Sequence, residues 1–328
     1  MATRLLLGTD AGLFAWEAVL QPRLTAGPVT ALARRAPDAR VIYAATADRI
    51  FRSPDGGVTW HETAATFPGF AEISSLAVHP HDDEIVLAGL EPSALFRTSD
   101  GGRTWVEDPA IRAMAEAPQS GWHVPWSDAR GHVRTPVFDP VDPDRIYLPI
   151  EVGGVVRTED GGRHWENVRG GIHDDVHALA VNPVERRVIY AATRHGCGRS
   201  DDYGRTWRET NRGLTKTYCR ALAVDPRDGR RLFTAGAPTP PGRWHLRPAG
   251  AEASLFRSDD GGETWRLLVG GLPPALRGYV DAIALAPAVP DRVCFGTADG
   301  EVWQSDDGGE TWCLLLRTHP VRRLLILA

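Results

Sequence analysis

The sequence has no excess of basic residues: 37 Lys and Arg stand against 42 Asp and Glu, for a net charge of −5. Nothing in that balance calls for nucleic acid or an anionic membrane surface as a partner. Long hydrophobic runs are also missing. The leucines at 5–7 are broken at once by Gly8 and Asp10, too short a run for the apolar region of a signal peptide. The closing LLILA is too short to span a bilayer. The four cysteines, Cys197, Cys219, Cys294 and Cys313, form no CxxC pair and no zinc-like spacing. Free thiols in a reducing compartment are the simplest reading, and the expected location is cytoplasmic. There remains a 328-residue chain, 42% hydrophobic and 24% charged, with enough apolar sequence for a large core.

One octapeptide recurs. SDDGGETW occupies 258–265 and 305–312, with looser copies SPDGGVTW at 53, TSDGGRTW at 98, TEDGGRHW at 158 and SDDYGRTW at 200. The third residues, Asp55, Asp100, Asp160, Asp202, Asp260 and Asp307, lie 45, 60, 42, 58 and 47 residues apart. A period near 45 with strand-like flanks is the spacing of a four-stranded propeller blade. Each copy sits between two short apolar strands, so it reads as a turn. Gly supplies positive φ, Asp and Ser/Thr bond to turn backbone, and the closing Trp offers apolar surface for packing.

The pattern S/T-x-D-x-G-x-T/H-W resembles the Asp-box, or BNR, repeat found in sialidases, sortilin-type receptors, xyloglucanases and a photosystem II assembly factor. The resemblance extends over nearly the whole chain. It implies a propeller whose boxes lie at the blade periphery, as scaffold. It does not fix a function, because these relatives do different things. The chain departs from sialidases in lacking their Arg-Ile-Pro motif and in having arginines that cannot be matched to their triad. Xyloglucanases set two such propellers around a cleft, whereas one propeller is read here.

A second phrase precedes each box: SSLAVHP at 74, HALAVNP at 177, RALAVDP at 220 and DAIALAP at 281, with degenerate copies at 30 and 134. These are expected to be innermost strands ending in Pro-marked turns. Six blades are complete. VRRLLILA at the C-terminus reads as one more innermost strand, and the N-terminal segment as the remainder of its blade. The fold class is therefore all-β: a seven-bladed propeller of four-stranded antiparallel blades in one domain over 1–328. The ring is closed by N- and C-terminal strands sharing a blade, which leaves no open sheet edge.

The two long box intervals come from insertions at roughly 107–132 and 237–253, on the face opposite the boxes. Long loops without repeat character point to function. With blade four between them, both are expected to roof it. Aligning the innermost strands gives a column expected at the channel mouth: Thr30, Ser74, Arg134, His177, Arg220, Asp281 and Arg322. The adjacent column, Val29 to Val321, is core. Arginines converging there would hold a carboxylate or phosphate. Blades three and four add Glu151, His173, Asp174, Asp175 and His195.

The sequence thus points to a pocket for a small anionic or sugar-like ligand. Arg134, Arg220, Arg322, Tyr218 and Asp281 would hold it, and Trp122, Trp126 and Trp244 would stack on it. His177, Glu151, His195 and Asp175 would move protons. His173, His177, His195 and Glu151 could instead take a divalent metal ion. His177 is expected at a strand end, outside the packed interior. The first expectation is a hydrolase or lyase. The alternative is a non-catalytic module that recognises a peptide or protein through the same face. Neither nucleic acid nor membrane is expected as a partner.

Overall fold

The computed structural model describes residues 4–36, 38–122, 131–286 and 288–327. They form seven four-stranded antiparallel sheets. Six run outward in chain order, beginning at Ala31, Glu72, Val137, Val176, Tyr218 and Val280 (blades one to six). In blade seven the innermost strand is Val321–Leu327. It pairs with Arg4–Thr9, followed outward by Gly12–Trp16 and Leu20–Leu24. Leu5 opposite Ile326 and Leu7 opposite Leu324 close the ring. Termini far apart in sequence are thus joined by a full ladder of backbone hydrogen bonds. Among the described residues no helix is long and apolar enough to cross a membrane.

The repeated octapeptide builds the turn between the third and fourth strands of a blade. In the first copy, Ser53 Oγ donates to Asp55 Oδ1 at 2.9 Å and accepts from the Gly57 amide at 2.8 Å. Asp55 in turn accepts from the Thr59 amide at 2.9 Å and the Thr59 hydroxyl at 2.6 Å. Asp307 accepts the same two bonds from Thr311, and in the third copy His164 Nδ1 takes the place of the threonine hydroxyl. The amide of the first box glycine donates to a carbonyl at or just after the turn between the first two strands, as from Gly101 to Glu84 O and Gly308 to Asp291 O. Tyr203 fills that glycine position in blade four with φ of 62°, and Arg145 covers its ring at 4.5 Å.

Hydrophobic clusters lie between neighbouring blades. Leu5, Leu7, Cys294, Val302 and Val321 pack at the seam of blades six and seven, for example. Some second strands carry glycine where the next blade comes closest. A Cβ on Gly89 would stand 2.5 Å from the Val133 carbonyl oxygen, and one on Gly8 would stand 2.8 Å from a Val29 methyl. Blades approach this closely because those positions have no side chain.

A second regularity sits at the inner end of the blades. In blade four, Val176 pairs with Thr193 but Ala178 pairs with Ala192, so His177 is an extra residue in the strand. The same one-residue excess falls at Ser74, Asp281 and Arg322, and across Arg220 and Ala221. These are β-bulges, which bend the strand and re-aim a side chain.

The described parts of the two insertions, 107–122, 131–132 and 237–253, pack on either side of blade four and not over it, and residues 123–130 of the first lie outside the described residues. In the first, the helix Pro109–Glu116 is capped by Asp108, whose Oδ1 accepts from the Ala110 amide. Its Ile111 and Ala115 pack with Leu87 and Leu95 of blade two and Ile146 and Leu148 of blade three. The helix thus fills the wedge between those blades. The second insertion contains a short 3-10 turn, Pro241–Leu246, which lays Trp244 on Tyr279 at the entry to blade six. Both amphipathic segments go where apolar seams need cover, on either side of blade four.

Candidate functional site in the central cavity

A cavity of about 230 Å³ lies on the propeller axis. Ser74, Arg134, His177, Arg220, Asp281 and Arg323 supply its polar lining, with Leu179, Leu222, Ile283 and Leu324 below. The expected channel-mouth column is therefore present in blades two to six. In blade seven it is displaced by one residue. Arg322 is an exposed rim residue ion-paired with Asp10, and Arg323 lines the cavity in its place. In blades two, four, five and six the residue after the column position is small: Ser75, Ala178, Ala221 or Ala282. In blade seven it is a second arginine. Two guanidiniums directed to one point repel each other, and Asp10 draws the first away.

The column residues differ in the work they do. Thr30 Oγ1 donates to Ile73 O at 2.6 Å and Ser74 Oγ to Val133 O at 2.9 Å. His177 Nδ1 lies 2.6 Å from Cys219 O. In each case a side chain reaches a carbonyl at or near the start of the innermost strand of the next blade. A carbonyl only accepts, so Nδ1 of His177 carries the proton. The His177 side chain is only 2% exposed, in contrast to the expectation that it stands outside the packed interior. Its bulge turns it into the seam between blades four and five.

The charges at the site are mostly matched. Arg134 is ion-paired with Glu151, and His132 Nδ1 lies 3.9 Å from the same Glu151 oxygen. Burial alone would raise the Glu151 pKa. The positive charges of Arg134 and His132 outweigh it, and the carboxyl is held below its ordinary value. Asp175 lies with Oδ1 3.2 Å from His177 Nε2. It too is held low, with His177 outweighing burial. Arg220 stands 3.2 Å from Asp281. Burial works against its charge, but Asp281 raises its pKa overall.

Arg323 is the exception. Among the described residues no carboxylate lies within 4 Å of it. It donates to two backbone carbonyls, Arg322 O at 2.8 Å and Ser74 O at 3.4 Å. Burial pushes its guanidinium down to about 10 against the pull of Asp281, and Arg134, Arg220 and Arg322 push the same way as burial.

The other expected site residues fall into three groups. His173 and His195 lie ring against ring, tilted by 52°, with centroids 4.1 Å apart. His173 Nδ1 accepts from the Asp175 amide at 3.0 Å, and burial followed by His195 lowers its pKa. These two histidines stand apart from the cluster of Glu151, Asp175 and His177, whose potential ligand atoms all lie within 4.8 Å of one another. The expected four-residue metal set is thus not one group in the structure.

Tyr218 is buried beside His177, with ring centroids 5.1 Å apart, and burial pushes its phenol up to about 12. Trp244 stacks on Tyr279 at 4.7 Å and keeps part of its ring open over a cavity of about 530 Å³ that also touches Arg277 and Asp299. Trp122 offers no stacking face. It is 2% exposed within the core under the helix, and its indole N–H meets Asn167 at 3.3 Å. Trp126 lies outside the described residues. Sequence reasoning missed Arg323 and Tyr279. Tyr279 Oη donates within the seam to Tyr218 O and Ala235 O and accepts from the Arg220 amide.

The molecule is a seven-bladed β-propeller of four-stranded blades. Residues 256–267 match the BNR/Asp-box repeat family. Xyloglucanase Xgh74A of Acetivibrio thermocellus is 30% identical over 40% of this chain and 19% of its own length. A xyloglucanase of Paenibacillus sp is 28% identical over 45% of this chain and 17% of its own. The chain therefore spans about a fifth of the length of these curated relatives. Among solved structures, the GH74 xyloglucanase from Xanthomonas campestris superposes with a TM-score of 0.73 at 19% identity, over 96% of this chain and 53% of that one. YCF48 bound to D1 peptide superposes at 0.60 and 18% identity, over 96% and 85%. At these identities the solved structures bear on the fold alone.

Proposed function

We propose that this propeller is a ligand-binding module that holds a carboxylate-bearing ligand in its central cavity. The observation that carries the reading is Arg323, a half-buried guanidinium in a cavity wall with no carboxylate in reach among the described residues. Arg134 and Arg220 line the same cavity but each already has a partner, Glu151 or Asp281. A ligand carboxylate beside Arg323 would complete the pattern of pairing, and a planar fork suits a planar anion. The apolar residues beneath would take the adjoining carbon skeleton. A small carboxylate and a chain terminus share this chemistry. The relative YCF48 is known bound to a peptide, D1.

The test is calorimetry with succinate, citrate and glucuronate, and with a short peptide bearing a free or an amidated C-terminus. The free carboxylates are expected to bind and the amidated peptide to fail. Arg323→Gln is expected to weaken binding roughly 30-fold or more, the scale of losing a partner from a buried charge pair. Equal binding by Arg323→Gln and the wild type would overturn the reading.

A second reading, a glycoside hydrolase, is favoured by the similarity to xyloglucanases. Glycoside hydrolysis uses two carboxyl groups, one of them kept protonated by a raised pKa. Glu151 and Asp175 are instead held low beside cations. Release of reducing sugar from a xyloglucan oligosaccharide by this chain, abolished in Glu151→Gln, would favour this second reading.

A further inference from the structure

We propose that Glu151, Asp175 and His177 form a binding site for one divalent first-row transition ion in the wall of the central cavity. Three loops and strands bring them together. Glu151 follows the second strand of blade three, Ile146–Ile150, whereas Asp175 and His177 flank Val176 at the start of blade four. The bulge at His177 turns its ring toward Asp175 rather than away from it. The side chains are 7%, 3% and 2% exposed.

The unmet hydrogen bonding points to a ligand. Asp175 Oδ1 and His177 Nε2 are buried, face each other at 3.2 Å and make no well-formed hydrogen bond among the described residues, while Glu151 Oε2 beside them is held by its ion pair with Arg134. Buried polar atoms almost always find a partner, so two unsatisfied atoms facing one point beside a third carboxylate need an account. Their character supplies one. His177 donates Nδ1–H to the Cys219 carbonyl, so that in the neutral ring the Nε2 lone pair is directed at the two carboxylates. Metal-bound histidines are oriented in this way, by a carbonyl or carboxylate on the other nitrogen.

Metal bonds of about 2.0–2.2 Å place ligand atoms roughly 3–4 Å apart, so the present spread of up to 4.8 Å needs only small side-chain shifts. Two carboxylate oxygens and an imidazole suit Zn²⁺, Mn²⁺ or Fe²⁺. An all-oxygen cage would suit Ca²⁺ better. Two negative charges balance the ion. Arg134 now supplies part of that balance through its ion pair with Glu151, and it lines the cavity, into which it would turn as the ion enters. Three protein ligands leave positions open for water or a ligand atom. The inference is independent of the carboxylate reading, because Arg323 takes no part in it.

The test uses the metal alone. Protein dialysed against EDTA, in a Cys313→Ser background that removes the one exposed thiol, is titrated with Zn²⁺ by calorimetry and with Co²⁺ by visible absorption. One equivalent is expected, with a Co²⁺ d–d spectrum lacking thiolate bands. Asp175→Asn and Glu151→Gln, nearly isosteric, are each expected to lower affinity on the order of 100-fold with circular dichroism unchanged. If one variant fails to fold, the other decides. No saturable binding by the wild type below millimolar Zn²⁺, or full affinity in a folded Asp175→Asn or Glu151→Gln protein, would overturn the proposal.

Discussion

His177 of blade four and Cys219 of blade five are joined across their seam by a 2.6 Å hydrogen bond from ring nitrogen to backbone carbonyl. The bond makes His177 a structural tie as well as a wall of the cavity. His177→Ala is therefore expected to cost roughly 1–3 kcal/mol, because it orphans a buried carbonyl and opens space in the seam. Ser74→Ala, which breaks the equivalent tie to Val133, is expected to cost on the order of 1 kcal/mol. Urea unfolding of both variants checks this. Unchanged midpoints would show that the ties add no stability.

The Asp boxes predict a particular acid response. The Thr311 hydroxyl and amide, followed by the Ser305 hydroxyl, hold the Asp307 carboxyl at about 2, below its ordinary 3.8. Asp55, Asp100 and Asp160 are likewise lowered. A carboxyl with a depressed folded pKa contributes stability above its unfolded pKa and loses it as pH falls through the folded value. Stability is expected to fall between about pH 4 and pH 2 as the boxes protonate. Asp307→Asn should make that slope shallower, measured by thermal melts across the range. Separately, Asp260→Ala is expected to cost roughly 1–3 kcal/mol and to leave ligand affinity unchanged in the folded fraction.

The thiols should be unequal. Cys197, Cys219 and Cys294 are buried and Cys313 is exposed. Burial pushes Cys197 well up and Cys294 up to about 12. The thiolate is the reactive form, so one thiol is expected to react quickly with Ellman's reagent in native protein and all four in denaturant. Two or more fast thiols in the native state would contradict the packing of these seams.

The architecture was readable because its signals are local. Each box needs Gly, Asp, Ser or Thr and Trp at fixed offsets, and the valine column marks strands by what it must bury. The shared seventh blade followed from two unmatched ends. The site was harder because it depends on where strands slip by one residue. Alternation alone cannot tell that Arg322 turns to Asp10 while Arg323 enters the cavity. That depends on a bulge and on repulsion between two arginines. Nor could the sequence separate Trp122 from Trp244. Both stand in non-repeat segments, but one fills a wedge and the other is spread over Tyr279.

The bulges have a consequence for how such a ring can change. A bulge residue lacks a rung of its own, so exchanging its side chain leaves the neighbouring pairings in place and no later residue changes sides. Asp281 and Arg322 occupy such positions, and Arg220 shares one with Ala221. None of the three side chains supplies a tie like that of His177. In blades five and six a pore residue and the scaffold are thereby written in separate registers of the same strand, whereas Arg323 of blade seven keeps its own rung opposite Gly8. A new specificity can be set into the pore one residue at a time, while the frame that carries it stays as it was.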